Sequence, residues 1–313
     1  MATVMRTLAT APPKGWQPNL LASHGPNHAT TLLRSRRVGQ HLRSSPPTTL
    51  VHLHAASDWS LRRKLRLARS AGPRPVVLHL HSGNTATWLG ASAARAARVR
   101  AAVEAHVDVV VVLDEAWRAR LEPFLGPVEV VVNPVDPVHV PKAPLHGANL
   151  LVMGRDAPVK RRAFALDVLE QVRRQRPDAH LHLTGGQAKA GEGWTRHGWL
   201  ADTERLRLLQ STDLLLLPSR FEGQPLAALE ALACGVPVLA AAGLVGLPST
   251  VVRPEQDTVE GWASAVLEVL HGRPTQEALV DSVAPHAVEA VAARWAEIYA
   301  LAAERAVGRG ASS

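Results

Sequence analysis

At 313 residues, with 46% hydrophobic and 20% charged residues and a formal net charge of +8, the chain is too long for one ordinary α/β core. It suits two domains of roughly 150 residues each, and two domains imply a cleft. No apolar run approaches the roughly 18–20 residues of a membrane-spanning helix, the opening MATVMRTLATAPPKGW lacks the apolar core of a secretory signal, and the single cysteine, Cys234, excludes an intrachain disulfide or a cysteine-built zinc site. A cytoplasmic protein is expected.

The positive excess lies entirely in the first half: residues 1–147 hold 18 lysines and arginines against 8 acidic residues, and residues 148–313 hold 17 against 19. A clustered excess points to an anionic partner for that half, such as a membrane surface, a phospholipid, a polyprenyl phosphate or a nucleic acid, with plain solubility as the alternative. In chain order, a first helix candidate carries Arg34, Arg36, Arg37 and Arg43, and a strand is predicted over residues 49–54. The segment SLRRKLRLARS then sets Leu61, Leu65 and Ala68 on one helical face with Arg62, Arg63, Arg66 and Arg69 around it. Such a basic amphipathic helix could dock on anionic lipid, grip phosphates or form a solvated face. Aromatic residues make up 4% of the chain and none is interleaved with these arginines, so lipid or lipid-linked partners are favoured over nucleic acid.

Further strands are predicted over residues 75–81, 107–113 and 128–133. His52 with His54, and His79 with His81, stand two apart, so each pair faces one side of its strand. A metal site and histidines packed at the sheet edge are the two readings. With no carboxylate at suitable spacing and no Asp-x-Asp, no metal is expected. Pro134, Pro137, Pro141 and Pro144 then prevent regular structure.

In the second half, strands are predicted over residues 149–153, 180–184, 213–218 and 236–240. The tail sets Val288, Val291, Trp295, Ile298 and Leu301 at helical spacing. Strands alternating with amphipathic stretches predict a doubly wound parallel sheet in each half. The expected organisation is an acceptor-binding domain over residues 1–136, a Pro-rich linker over 137–147, a nucleotide-binding domain over 148–285 and a C-terminal helix and tail over 286–313.

The most informative segment is PSRFEGQPLAALEALACGVPVLAA, residues 218–241, which reads as strand end, loop, helix, turn and strand. Gly223 and Pro225 mark the helix start, Gly235 and Pro237 its end. Glu230 has apolar neighbours on every side in sequence. Burying such a carboxylate unpaired costs several kcal/mol, so it should meet hydrogen-bond donors, for which ligand hydroxyls would serve. The helix N-terminus just past Gly223 favours a phosphate. Upstream, LLVMGRDAPVK places Arg155 and Lys160 in the loop leaving the first strand of this half, where they could neutralise a diphosphate leaving group.

Taken together, these segments resemble retaining GT-B glycosyltransferases of family 4. FEGQPLAALEALACGVPVLAA is similar to the family signature of two glutamates separated by seven residues, matched by Glu222 and Glu230. GRDAPVK is similar to its Gly-Arg followed by a lysine, matched by Gly154, Arg155 and Lys160, and LHLTGG and HGWLADTERLRLLQSTDLLLLPSRFEG resemble the run between them. The resemblance covers residues 107–240 best. It implies that Arg155 and Lys160 hold the donor diphosphate, that Glu230 binds the ribose hydroxyls and that Glu222 contacts the transferred sugar. It further implies that backbone groups of Gly223, Gln224 and Leu226 line the sugar and phosphate, and that Gly198, Trp199 and Leu200 border the base. VVLHLHSGNTATW resembles the family strand ending in a histidine that faces the donor, matched by His81, and Asn133 and Asp136 match an asparagine-to-aspartate spacing that would shape the hinge.

The chain departs from the family in having Arg161 where a glycine often follows the lysine, Gln224 where an aromatic is common, and an abbreviated N-terminal domain. The expectation is therefore an α/β GT-B protein of two Rossmann-like domains. It would move a hexose with retention, without a metal, from a nucleotide-diphosphate sugar of UDP or GDP type to an anionic acceptor, and it could lie peripherally on a membrane. A non-catalytic basic protein of the same fold and a nucleotide-sugar epimerase are the alternatives.

Overall fold

A computed structural model of the chain describes residues 2–136 and 145–311. Most of the predicted linker, with Pro137, Pro141 and Pro144, lies outside the described residues. In order, the chain forms α1 (Ala2–Thr10), α2 (His28–Ser44), β1 (Val51–Ala55), α3 (Asp58–Ala71), β2 (Val76–Leu80), α4 (Thr85–Gly90), α5 (Ala93–His106), β3 (Val109–Val112), α6 (Glu115–Leu125) and β4 (Val128–Val130). It continues with β5 (Asn149–Val152), α7 (Arg162–Arg173), β6 (His180–Leu183), β7 (Lys189–Gly191), β8 (Trp194–Arg196), α8 (Asp202–Gln210), β9 (Leu214–Leu217), α9 (Leu226–Ala233), β10 (Val238–Ala240), α10 (Val259–His271), α11 (Gln276–Asp281) and α12 (Val288–Ala311). These elements form two units, residues 1–134 with 288–313, and residues 135–287. Each has its own parallel sheet, the α/β architecture of two Rossmann-like units that the alternation of strands and helices predicts.

The first unit has the smaller sheet. Its sheet has four strands in the order β1-β2-β3-β4, all parallel and without a reversal. Successive right-handed crossovers of this kind put their helices on one face. The other face is covered by α12, whose Val291, Trp295, Ile298 and Ala302 recur at helical spacing and pack on Val77, Val109 and Val111. Trp295 is fully buried, so the helix predicted for the tail belongs to the first unit.

The second sheet has the order β10-β9-β5-β6-β8-β7, with only β7 antiparallel. Strand order reverses at β5, with β6 and β8 on one side and β9 and β10 on the other. β5, β6, β9 and β10 are almost completely buried, as expected of strands covered on both faces. An aspartate just before a strand locks each sheet in the same way. Asp108 accepts from Val76 N at 2.7 Å and Asp213 from Asn149 N at 2.7 Å.

Candidate active site

Open α/β sheets bind ligands beyond the carboxyl ends of their strands where the order reverses. In the second unit this is the gap between β5 and β9, and the loops leaving these two strands are the ones that carry the sequence motifs. The loops are tied together by Arg220 N donating to Val159 O at 3.0 Å. Lys160 Nζ thereby meets Glu222 Oε1 at 2.6 Å, with both side chains largely buried. Gly154 has φ of 130° and a Cβ there would lie 3.1 Å from Lys160 Cε, so the glycine lets the lysine stem lie against the backbone. Arg155 is exposed at the rim.

A second glycine permits a closer approach. Gly185, after β6, has φ of 76°, and a Cβ on it would stand 2.5 Å from Gly154 O. Buried Arg162 clamps the two loops, donating to Gly185 O at 3.1 Å and also to the carbonyls of Gly154 and Thr184. Between Lys160 and Arg162, Arg161 adopts left-handed φ/ψ of 47° and 46°, the conformation that favours glycine. Its guanidinium bridges to both oxygens of Asp257 at 2.8 Å and lies 3.9 Å from the centroid of the Phe164 ring, contacts that offset the backbone cost.

Glu230 projects from α9 and pairs with Arg205 of α8. Its donor is thus a guanidinium contributed by the protein. Burial pushes the Glu230 carboxyl above its usual range, and the Arg205 charge and hydrogen bond oppose that rise. Among the described residues no side chain caps α9 after Pro225; Ala228 N donates back to Pro225 O at 3.0 Å, while the N–H groups of Leu226 and Ala227 come before any acceptor within the helix. The preceding loop is fixed by Gln224, whose buried amide donates to Gly246 O at 3.2 Å. At the end of β8, Gly198 takes φ of 75°, Trp199 is 75% exposed and Leu200 is half-buried.

Arg205→Met removes the group that opposes protonation of Glu230. The folded-state pKa of the carboxyl then lies further above its unfolded value, so the penalty is small below about pH 4.5 and grows as pH rises through the folded pKa. A loss of about 1–3 kcal/mol is expected at pH 7, shrinking towards pH 5, in denaturant melts at the two pH values.

In the first unit His81 follows β2 and does not stand alone. The parallel register pairs His54 with His79, and His54 Nδ1 lies 2.9 Å from His81 Nε2. Burial first, then nearby cations, hold His52 and His81 down at about pKa 3, so both are neutral at pH 7. Separately, α2 and α3 flank a cleft of about 990 Å³ lined by Arg36, Arg43, Arg62, Arg63 and Arg66. Arg69 lines an adjoining hollow with Arg43 and Arg74. The sequence expectation that no aromatic accompanies these arginines is corrected. Trp59 and Trp88 place their rings 5.5 and 5.2 Å from the Arg62 guanidinium, Trp59 from the same helix and Trp88 through the fold.

Residues 147–272 match the family model Glycosyl transferases group 1, a span that lies within the second unit and contains both motifs. Glycogen synthase of Mycobacterium tuberculosis is 28% identical over 275 residues, which is 76% of this chain and 63% of that protein. A D-inositol 3-phosphate glycosyltransferase of Segniliparus rotundus is 33% identical over 130 residues, 36% of this chain and 28% of that one. The chain therefore spans less than two thirds of the curated relatives it matches. Among solved structures, Anabaena Alr3699/HepE in complex with UDP and glucose aligns with TM-score 0.69 and 15% identity over 91% of this chain and 86% of that one. Sucrose-phosphate synthase from Thermosynechococcus elongatus aligns with TM-score 0.69 and 19% identity, covering 95% and 91%. The shared fold is GT-B.

Two residues of the second unit escape sequence reasoning. Arg205 sits 25 positions before its partner Glu230, in a helix whose other charges are exposed, and nothing local singles it out. Arg162 had a signal, the run Lys160-Arg161-Arg162 at a loop-to-helix junction, where one cation must turn inward.

Proposed function

We propose that the protein transfers a hexose from a nucleotide-diphosphate sugar to an acceptor hydroxyl, with retention of anomeric configuration and without a metal at the diphosphate. The observation that carries this reading is the convergence of Lys160 and Glu222 at the reversal point of the second sheet, beside the uncapped N-terminus of α9. In the transfer the acceptor oxygen bonds to the anomeric carbon, the bond from that carbon to the β-phosphate oxygen breaks, and the hydroxyl proton leaves with the diphosphate. Arg155, Lys160 and the N–H groups of Gly223, Gln224 and Leu226 stabilise the growing negative charge, replacing the role a metal would play. Glu222 orients the sugar, Glu230 with Arg205 holds the ribose, and Gly198, Trp199 and Leu200 border the base. UDP is the favoured nucleotide because structural neighbours carry it, with GDP as the second choice. His81 takes the place of the family's strand-end histidine that faces the donor.

The acceptor is anionic in this reading. The cleft between α2 and α3 is lined by five arginines and no carboxylate, and none of the five enters an ion pair among the described residues. Leu32, Leu67 and Trp59 add apolar wall, which suits a phosphate carried on a lipid and a peripheral position on a membrane.

The test offers UDP- and GDP-sugars with lipid-phosphate and neutral acceptors while following nucleoside diphosphate release and product configuration. Release requiring the anionic acceptor is expected, with KM for that acceptor rising about tenfold or more between 50 and 200 mM salt and in Arg62→Ala/Arg66→Ala. An inverted product would remove the retaining claim. Sugar isomerisation without acceptor would identify an epimerase, and salt-sensitive binding without turnover a non-catalytic binding protein.

A further inference from the structure

We propose that His52, His54 and His79 form a buried site for one transition-metal ion of imidazole preference, zinc first among them, between β1, β2 and α12 in the first unit. The sequence shows two His-x-His pairs, and the sheet turns them into a cluster. His54 and His79 are register partners, and His52 lies two residues before His54 on the same face. One ligand atom from each of the three lies within 4.8 Å of the others. Tetrahedral zinc with Zn–N of about 2.0–2.1 Å needs nitrogens about 3.3 Å apart, so the rings, with His52 stacked on His54 at a centroid distance of 4.1 Å, must turn towards one another to take the ion.

The hydrogen bonding favours the same conclusion. His79 is 1% exposed, and among the described residues neither of its ring nitrogens has a hydrogen-bond partner. His52 Nε2 is likewise buried without one. Orphaned polar atoms of this kind are uncommon in a core and costly. The nitrogens that are engaged are the ones a ligand histidine would use to fix its tautomer. His52 Nδ1 lies 2.9 Å from Tyr299 Oη, and His54 Nδ1 lies 2.9 Å from His81 Nε2. That leaves Nε2 of both rings for the metal, with Tyr299 and His81 as outer partners.

Access and metal type follow from the surroundings. A cavity of about 240 Å³ reaches His52 and His54 and is walled by Trp16, Lys64 and Tyr299, with no carboxylate in its lining. An all-imidazole set suits zinc, cobalt, nickel or copper and not magnesium or calcium. Lys64 also lines the cavity and donates to Ser23 Oγ at 2.7 Å. The fourth tetrahedral position falls to water from the cavity. The ion would pin β1, β2 and α12 together.

The experiment uses the untagged full chain, stripped with chelator and titrated with Co(II). One equivalent is expected to bind with the visible absorption of tetrahedral, nitrogen-ligated cobalt, to be displaced by Zn(II) and not by Mg(II), and to raise Tm. His79→Gln should abolish the spectrum. Tyr299→Phe, which keeps the ring and the fold, should weaken binding about 10–100-fold, and His24→Ala in the separate arginine cleft should leave it unchanged. Absence of stoichiometric cobalt binding by the wild-type chain overturns the proposal, as does a spectrum that persists in His79→Gln.

Discussion

Lys160→Met is expected to lower kcat for release of nucleoside diphosphate by about 10²–10³-fold, the effect of removing one preorganised donor from a developing oxyanion. The lysine stem is held against Gly154 and its ammonium against Glu222 at 2.6 Å, so the charge is already in place and need not be recruited during the reaction. An interaction that strengthens as the leaving group acquires charge appears in kcat more than in KM. The substitution also strands Glu222, which is only 20% exposed, and some stability is lost with it. The denaturant midpoint of Glu222→Gln, which breaks the pair while keeping the ammonium, gives the stability lost with the pair. Steady-state rates with the donor at saturation distinguish the two. A Lys160→Met enzyme within threefold of the parent would remove Lys160 from the transfer step.

The second large effect is on the frame that holds this lysine. Gly185→Ala is expected to destabilise the second unit by about 2–4 kcal/mol, since alanine is strained at positive φ and must also displace backbone it overlaps. The atom it meets is Gly154 O at 2.5 Å, in the strand-end loop that Arg162 clamps, so the clash is transmitted to the residues around Lys160. Gly186→Ala is the comparison. Gly186 also has positive φ, but its nearest neighbour is the side chain of Asp156 at 3.2 Å, which can move, and a loss of about 1 kcal/mol is expected there. Denaturant midpoints of the two variants should therefore separate. Equal losses would mean that the close approach of the two loops carries no special cost.

The parts of this fold that could be read from sequence are those with local causes. The buried strands announce themselves as apolar runs bounded by loops, and the glycines and prolines around α9 mark its ends. The β7–β8 hairpin was missed. Its strands are three residues each and half-exposed or fully exposed, so they carry no apolar run, and only the Glu192-Gly193 turn could have signalled them. The spacing of Glu222 and Glu230 and of Arg155 and Lys160 was legible because each motif lies within one loop or one loop and helix. Their joining was not. Lys160 meets Glu222 because β9 is hydrogen-bonded beside β5, and Glu230 meets Arg205 because α8 and α9 flank one strand in sequence. In the same way, His52 and His54 of β1 and His79 and His81 in and just after β2 were two separate pairs until the parallel register set them side by side.

The central claim is that the β5 and β9 loops together bind a nucleotide-diphosphate sugar. It is tested most directly by thermal stabilisation of the protein with UDP, GDP, ADP and their sugars, alongside Glu230→Ala. A ligand at about 100 times its Kd should add roughly 2.7 kcal/mol of stability. A shift selective for one nucleotide, UDP first, is expected, and it should disappear in the variant while the variant remains folded. No shift with any nucleotide, or an equal shift in Glu230→Ala, would contradict it.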